Sequence, residues 1–387
     1  MLDARFCAAC EDAAARWDVP ALALGFLEPG ARPYELFAVG CETDTRFRIA
    51  SITKPLTATL ALQLLDLDAS TGVWPEDVKI RHLLAHTSGF ECENGDLARF
   101  GDGDDALARA AAELTRVRRF LPVEQVWSYA NTGYWLAGAL CAEAAGEPFE
   151  DALRRRVLTP AHMDASDFGE PDQRGSGRGA SDEPYPRARR PSGGVVSNVR
   201  DLLCFAEWQL GLGWTGALRV PHGKPLGGVY GLGFAGERVG GCEVWGHGGS
   251  YGGFQSALLL VPERGAAFAG LTSSGSGRQA LREIEDLWFE RLLDARRRVA
   301  LTIELPVEAL EGFCGVYADG EARVTVTVRD GGLGGVFVED DERIEVAARP
   351  IGPRTFEIAG GDLDRDRFDF PLPGFARFGS CLAPRLE

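Results

Sequence analysis

Lysine is so scarce in this chain that its placement carries information. Only three of the 387 residues are lysine, and one of them, Lys54, stands three positions after Ser51 at the head of an apolar run that reaches about Leu67. The run predicts a helix opening at Ser51. Residues i and i+3 share a helix face, so the lysine amine can lie beside the serine hydroxyl. Ser51-Ile52-Thr53-Lys54 therefore reads as a nucleophile with its activating amine. The blander reading is a capped helix start with an exposed lysine.

Charge and length bound the rest. A chain of 387 residues holds one large domain and a small one. A net charge of −16 argues against nucleic acid and anionic membrane as partners. No segment is apolar for long enough to span a bilayer, and Met1 to Asp18 lacks the apolar core of an export signal. The nine cysteines are scattered. Cys7 and Cys10 form a lone C-x-x-C without the second pair a zinc site needs. Reduced core cysteines and a cytoplasmic location are the expectation.

Residues 3–17 predict a helix, and Ala21–Leu27 and Tyr34–Val39 predict strands joined by a Pro29-Gly30 turn. The middle is mostly helical, with an acidic, Gly-rich break at Glu91–Asp105. A second break, Glu170–Gly194, reads as a long mobile loop, either bordering an active site or a disordered insert. Gly241–Gly246, Phe254–Val261 and Ala266–Thr272 predict strands, and Gly277–Arg298 an amphipathic helix. Past Pro306 the texture becomes β-rich: Ala322–Arg329, Gly335–Glu339 and Arg343–Ala348 alternate between Asp-Gly and Gly-Gly turns. This places a domain boundary near 300, with domains at 1–300 and 303–387, the second a small barrel or sandwich.

Two further motifs follow the first in chain order: Tyr129-Ala130-Asn131, and His247-Gly248-Gly249-Ser250 after a short strand. With Phe47–Lys54, Leu83–Gly89, Ser128–Tyr134 and Ser192–Ser197 around them, the triple resembles the serine β-lactamase and penicillin-binding-protein superfamily. The likeness is greatest to class C β-lactamase-like hydrolases, the branch with family VIII carboxylesterases and D-aminopeptidases of peptidase S12 type. It covers about residues 5–300. It implies an α+β fold, a β-lactamase/transpeptidase-like antiparallel sheet flanked by helices with a helical subdomain. The C-terminal part resembles the lipocalin-like all-β tails of this group.

The resemblance also implies roles. Ser51 attacks an acyl carbon at a helix N-terminus that favours negative charge. Lys54 and Tyr129 share the proton work, the lysine lowering a phenol pKa that is otherwise about 10. Asn131 holds Lys54 and the substrate, with His247 and Gly249 lining the substrate site. The oxyanion hole is made by the N–H groups of Ser51 and Ser250. Relatives that turn over β-lactams carry Lys-Thr-Gly where this chain has His247-Gly248-Gly249. A histidine is only partly charged at neutral pH, so a small ester or D-amino-acid amide suits the site better than a β-lactam.

Other motifs lose on order or chemistry. Gly248-Gly249-Ser250-Tyr251-Gly252 matches the G-x-S-x-G nucleophile elbow, but that fold needs a histidine after the serine, and none follows His247. His82 and His86 are spaced to share a metal, yet Leu-Leu-Ala between them lacks the glutamate of H-E-x-x-H. No metal or cofactor is implied.

Three functions compete. The first is a serine hydrolase of a small-molecule or peptide-like ester or amide. The second is an acyltransferase, thioesterase or peptide cyclase using the same acyl-enzyme. The third is a binding protein without turnover, which retention of every catalytic position disfavours. Homo-oligomerisation is left open. The C-terminal region carries no catalytic cluster and is expected to shield the site or mediate dimerisation, so that deleting 303–387 changes substrate range or solubility more than acylation of Ser51.

Overall fold

The computed structural model describes residues 2–386 apart from 30–33, 73–76, 94, 115–117, 320–321 and 340–341. Its helices are α1 (Ala4–Arg16), α2 (Thr53–Leu64), α3 (Ile80–Leu84), α4 (Ala106–Leu114), α5 (Asn131–Ala145), α6 (Phe149–Leu153), α7 (Arg190–Gly193), α8 (Val199–Gly211), α9 (Gly277–Leu293) and α10 (Val307–Glu311). The first nine strands are β1 (Leu22–Leu27), β2 (Glu35–Val39), β3 (Phe47–Arg48), β4 (Val196–Ser197), β5 (Val229–Tyr230), β6 (Ala235–Val239), β7 (Cys242–Tyr251), β8 (Phe254–Val261) and β9 (Ala266–Thr272). Seven of these form one sheet in the order β2-β1-β9-β8-β7-β6-β5, every neighbouring pair antiparallel.

The central strands are apolar on both faces because helices cover both. In β1, Leu22, Leu24 and Phe26 point into a cluster with Phe6, Cys10 and Ala13 of α1 and Ile284 and Trp288 of α9. The alternate residues Ala23 and Leu27 join the larger cluster with Leu56 and Leu60 of α2, Tyr134 and Trp135 of α5, and Leu203 of α8. This is the period-2 alternation of a strand buried on both sides. The α1 helix starts where Asp3 accepts the Phe6 N–H at 2.8 Å, a side-chain N-cap.

The last eight strands are β10 (Gly315–Asp319), β11 (Ala322–Arg329), β12 (Gly332–Glu339), β13 (Glu342–Gly352), β14 (Thr355–Ile358), β15 (Arg367–Asp369), β16 (Phe375–Phe378) and β17 (Cys381–Pro384). They form a meander in sequence order. A bridge between Tyr317 and Arg385 brings the first and last strands together, so the sheet is nearly closed as a barrel. Its core has a run of aromatic residues, Phe356, Phe368 and Phe370 among them. The turn from β11 to β12 is Asp330-Gly331, with φ of 49° and 74°, the two-residue hairpin chemistry the sequence signals.

Several expectations are corrected. The helix expected from Ser51 to Leu67 begins at Thr53 and ends at Leu64, and Ser51 lies in a single 3-10 turn, Ala50–Ile52. The Asp-rich residues 66–68 end it, with Asp66 Oδ1 accepting the Asp68 N–H at 3.0 Å. His247–Ser250 lie inside β7 rather than after it, since pairing with β8 runs from Trp245 to Tyr251 despite the glycines. The helix expected to reach Arg298 stops at Leu293, where Asp294 takes φ 51°, and Arg297 turns back to Glu237 and Glu285 at 2.8 Å each.

The stretch 170–194 is anchored rather than loose. Ser176 N–H donates to Ser273 O at 3.0 Å, and Arg187 and Arg190 both grip Glu150. Cys92 and Cys381 form a disulfide where reduced thiols were expected, because the β16–β17 turn docks on the loop after Phe90 and brings the two Cα atoms to 5.7 Å. Gly30 of the expected Pro29-Gly30 turn lies outside the described residues. Among the described residues no helix is long and apolar enough to cross a membrane.

Candidate active site

Ser51 is presented by a backbone held under strain. Ala50, immediately before it, has φ 43°, a left-handed conformation that costs a residue with a Cβ about 1–2 kcal/mol. Neighbouring bonds fix it there. Ile49 N–H donates to Val195 O at 3.1 Å, Ile49 O accepts from Ile52 N–H at 3.1 Å, and the same carbonyl accepts from Ser256 Oγ at 2.8 Å. The turn then feeds into α2, whose N-terminal dipole favours negative charge developing at Ser51 Oγ.

Two side chains meet at that oxygen. Lys54 Nζ lies 3.0 Å from Ser51 Oγ and donates to Ser192 O at 2.8 Å. Tyr129 donates its phenolic O–H to Ser51 Oγ at 2.8 Å. Lys54 is fully buried, with its Nζ over the rings of Tyr129 and Tyr134 at 4.7 and 5.4 Å. Burial pushes its amine well below the ordinary lysine range, Glu93 opposing and Arg189 adding to the effect. Desolvation pushes the Tyr129 phenol the other way, above the ordinary tyrosine range, against the bond to Ser51. A neutral amine beside a protonated phenol is the favoured pair.

Ser192 links this centre to the stretch 170–194. Its hydroxyl accepts from Trp135 Nε1 at 2.8 Å, meets Tyr185 Oη at 3.1 Å and donates to Arg189 O at 2.9 Å. These contacts aim the Ser192 carbonyl at Lys54.

Asn131 opens α5 beside the site, but its amide is turned to Glu93 rather than to Lys54, donating to Oε1 at 2.7 Å. Arg189 donates to Glu93 Oε2 at 2.6 Å. This half-exposed carboxylate is the negative charge that acts on Lys54 and Tyr129. Nothing in the sequence marks Glu93 or Arg189: Glu93 sits in an acidic stretch that reads only as a loop, and Arg189 is one arginine among many. Ser192 heads the segment Ser192–Ser197 that helps carry the family resemblance, but the bond of its carbonyl to Lys54 shows only in the fold.

His247 is half-buried and neutral. Its Nε2 is 3.0 Å from Tyr230 Oη and its Nδ1 faces the Gly248 carbonyl. A carbonyl only accepts, so the proton sits on Nδ1 and Tyr230 donates to Nε2. Desolvation is the chief cause that lowers the ring's pKa to about 3. The position therefore offers no cation to a substrate carboxylate near neutral pH. Gly249 packs β7 against the nucleophile turn: a Cβ there would stand 2.3 Å from Ile49 O, 2.4 Å from Ser256 Oγ and 3.0 Å from Ser51 N. Only a residue without a Cβ permits this approach, which puts the backbone of Gly249 next to Ser51.

The two histidines of α3 and its end serve the scaffold. His82 Nδ1 accepts from Lys79 N–H at 3.1 Å and its Nε2 meets Glu124 at 3.1 Å. His86, fully buried with φ 58°, accepts the Ala130 N–H on Nδ1 at 3.0 Å and stacks on Tyr129 at 4.2 Å. The G-x-S-x-G match lies within the β7–β8 hairpin, not at a strand-to-helix turn.

The chain is 30% identical over 313 residues to penicillin-binding protein 4 of Amycolatopsis lactamdurans, covering 67% of this chain and 78% of that protein. Among solved structures, SurE with D-Leu superposes with a TM-score of 0.78 at 23% identity, covering 99% of each chain. D-amino acid amidase of Ochrobactrum anthropi SV3, complexed with L-phenylalanine, superposes with a TM-score of 0.64 at 24% identity, covering 76% of this chain and 99% of the amidase. The Beta-lactamase family model matches residues 11–292, about three quarters of the chain and all of the residues that meet at Ser51, and the chain belongs to the beta-lactamase family within the serine β-lactamase and penicillin-binding-protein superfamily.

Proposed function

We propose that this protein is a serine hydrolase that cleaves a small ester or amide, peptide-like in character, through an acyl-Ser51 intermediate. The observation that carries this reading is the convergence of Lys54 Nζ and Tyr129 Oη on Ser51 Oγ at 3.0 and 2.8 Å. Neutral Lys54 takes the Ser51 proton as Oγ bonds to the acyl carbon. The N–H groups of Ser51 and Ser250 hold the oxyanion; the close seat of Gly249 against Ser51 N supports this. As the intermediate collapses, the bond to the leaving alkoxide or amine breaks and Tyr129 supplies its proton. The Lys54 ammonium then returns a proton to Tyr129. Water repeats the cycle on the ester, giving a free acid and Ser51.

The proton work thus divides, with the lysine as base and the tyrosine as acid. His247, neutral, orients Tyr230 and the pocket wall rather than binding a carboxylate. Glu93 neutralises Arg189 beside the site, so this pair offers no free cation to the carboxylate of an anionic β-lactam, and a substrate without one, such as a D-amino acid amide or a small ester, suits the site better. The test compares wild type with Ser51→Ala on p-nitrophenyl butyrate, D-alanine p-nitroanilide and a chromogenic cephalosporin. The expected outcome is Ser51-dependent turnover of the ester or the anilide, with little of the cephalosporin. Full turnover by Ser51→Ala would sink the reading.

A second reading is capture of the acyl group by an amine: the SurE structure, whose likeness extends over the C-terminal barrel as well, holds D-Leu, an amine-bearing ligand. Product analysis in the presence of D-amino acids separates it: amide products in place of free acid would favour transfer.

A further inference from the structure

The segment that carries Tyr129 is held from the far end of the chain. Arg377 of β16 is 5% exposed and grips Asp369 of β15 at two points, Nε to Oδ1 at 2.9 Å and Nη2 to Oδ2 at 2.6 Å. Its third nitrogen, Nη1, donates to the carbonyls of Trp127 at 2.8 Å and Lys224 at 3.3 Å. One residue further, Ser128 Oγ accepts from Leu382 N–H at 3.2 Å. Tyr129 N–H itself donates to Ser380 O at 2.9 Å. Three consecutive residues ending at the tyrosine are each bonded to one β-hairpin of the C-terminal barrel.

The same hairpin reaches Asn131. Cys381 is joined to Cys92, whose carbonyl accepts the Asn131 N–H at 2.8 Å. On its other side the segment rests on His86, which accepts Ser128 N–H on its carbonyl at 3.0 Å and Ala130 N–H on its ring at 3.0 Å. The 127–131 stretch is therefore clamped between His86 and the β16–β17 hairpin. The phenol of Tyr129 reaches Ser51 from that clamped backbone, and a misplacement of about 1 Å in such a group can cost on the order of 100-fold in rate.

We propose that the β16–β17 hairpin is a positioning element of the reaction centre, and that Arg377 is a positioning residue that acts through Trp127–Tyr129 on the Tyr129 phenol. This rests on the proton-donor role of Tyr129 argued above. It runs against the sequence expectation that deleting the C-terminal region changes substrate range or solubility more than acylation of Ser51.

The test is a double-mutant cycle on the full chain, with Arg377→Met, Tyr129→Phe and their combination. It is read as the rate of Ser51 acylation and the KM with an amide substrate, D-alanine p-nitroanilide, whose leaving amine departs only with a proton. Arg377→Met strands the Asp369 carboxylate, so the melting temperature of each variant is recorded. Ser128→Ala, which removes only the acceptor of Leu382 N–H, runs through the same cycle and carries the test if Arg377→Met does not fold. Arg377→Met is expected to slow acylation about tenfold and Ser128→Ala about threefold. KM should move less than either rate, and both effects should vanish in the Tyr129→Phe background. A loss of equal factor in both backgrounds, or no loss in either folded variant, overturns the hairpin proposal alone. If Tyr129→Phe acylates at the wild-type rate while Ser51→Ala does not, the proton-donor role of Tyr129 falls and the hairpin proposal falls with it.

Discussion

The chemistry of single residues turns on where three protons sit. Lys54 is fully buried with its amine pushed below its ordinary range, and Tyr129 is pushed above its own. The signs set the pH dependence. Acylation needs a neutral Lys54, so kcat/KM should rise with pH along a single limb whose midpoint lies below the usual lysine value of about 10.4. It should not fall again before about pH 10, because the phenol keeps its proton. His247, with its pKa lowered to about 3, stays neutral over this range, so His247→Asn should leave the limb in place. A stopped-flow pH profile of both proteins checks this. Lys54→Arg fills the site with a group that stays charged and should cost about 10²- to 10⁴-fold in kcat at every pH. Ser51, Lys54, Tyr129 and His247 are legible in the sequence because short motifs in fixed chain order carry them. Glu93 and Arg189 are not, since they lie in separate segments that meet only through tertiary packing.

At the level of elements, the site depends on how closely β7 can approach the turn that holds Ser51. The sequence predicts a strand that stops at Gly246, because the run of glycines after it breaks strand patterning. Pairing with β8 carries the strand on to Tyr251, and the glycine at 249 is what lets it pass beside Ser51 N. Gly249→Ala places a Cβ against the Ile49 carbonyl and Ser256 Oγ, an overpacked contact worth about 1–3 kcal/mol. The expected result is a folded protein with a lowered melting temperature and a large loss of kcat, measured by calorimetry and ester turnover. Strands β1, β8 and β9 and helix α1 are legible to within a residue or two because each has a clear period and a defined start or stop. The end of α2 is less so, since Leu65 and Leu67 continue its apolar pattern after its hydrogen bonding has ceased.

For the whole molecule, the C-terminal hairpin is drawn to the catalytic segment. A disulfide closes a loop of 289 residues between Cys92 and Cys381. Closing so long a loop restricts the unfolded chain, and removing it with Cys381→Ser should cost about 2–4 kcal/mol in denaturant unfolding. An unchanged unfolding midpoint would show that the barrel docks without it. The β-rich character of the C-terminal region is legible from its alternation and Asp-Gly turns. Its docking is not, because scattered cysteines do not reveal a pairing and Arg377 is one arginine among many. The division into units at 1–300 and 303–387 remains a proposal, to which the contacts of the β16–β17 hairpin add a functional link.

The central claim is that Ser51 becomes acylated with Lys54 and Tyr129 as its proton partners. The most direct measurement is intact-mass spectrometry of the enzyme quenched during turnover of p-nitrophenyl butyrate, followed by peptide mapping, for wild type, Ser51→Ala and Tyr129→Phe. The account predicts a butyryl adduct on the peptide containing Ser51 in wild type and none in Ser51→Ala, with an adduct still formed in Tyr129→Phe because p-nitrophenoxide leaves without a proton. An adduct on any other residue, or undiminished turnover by Ser51→Ala, would contradict it.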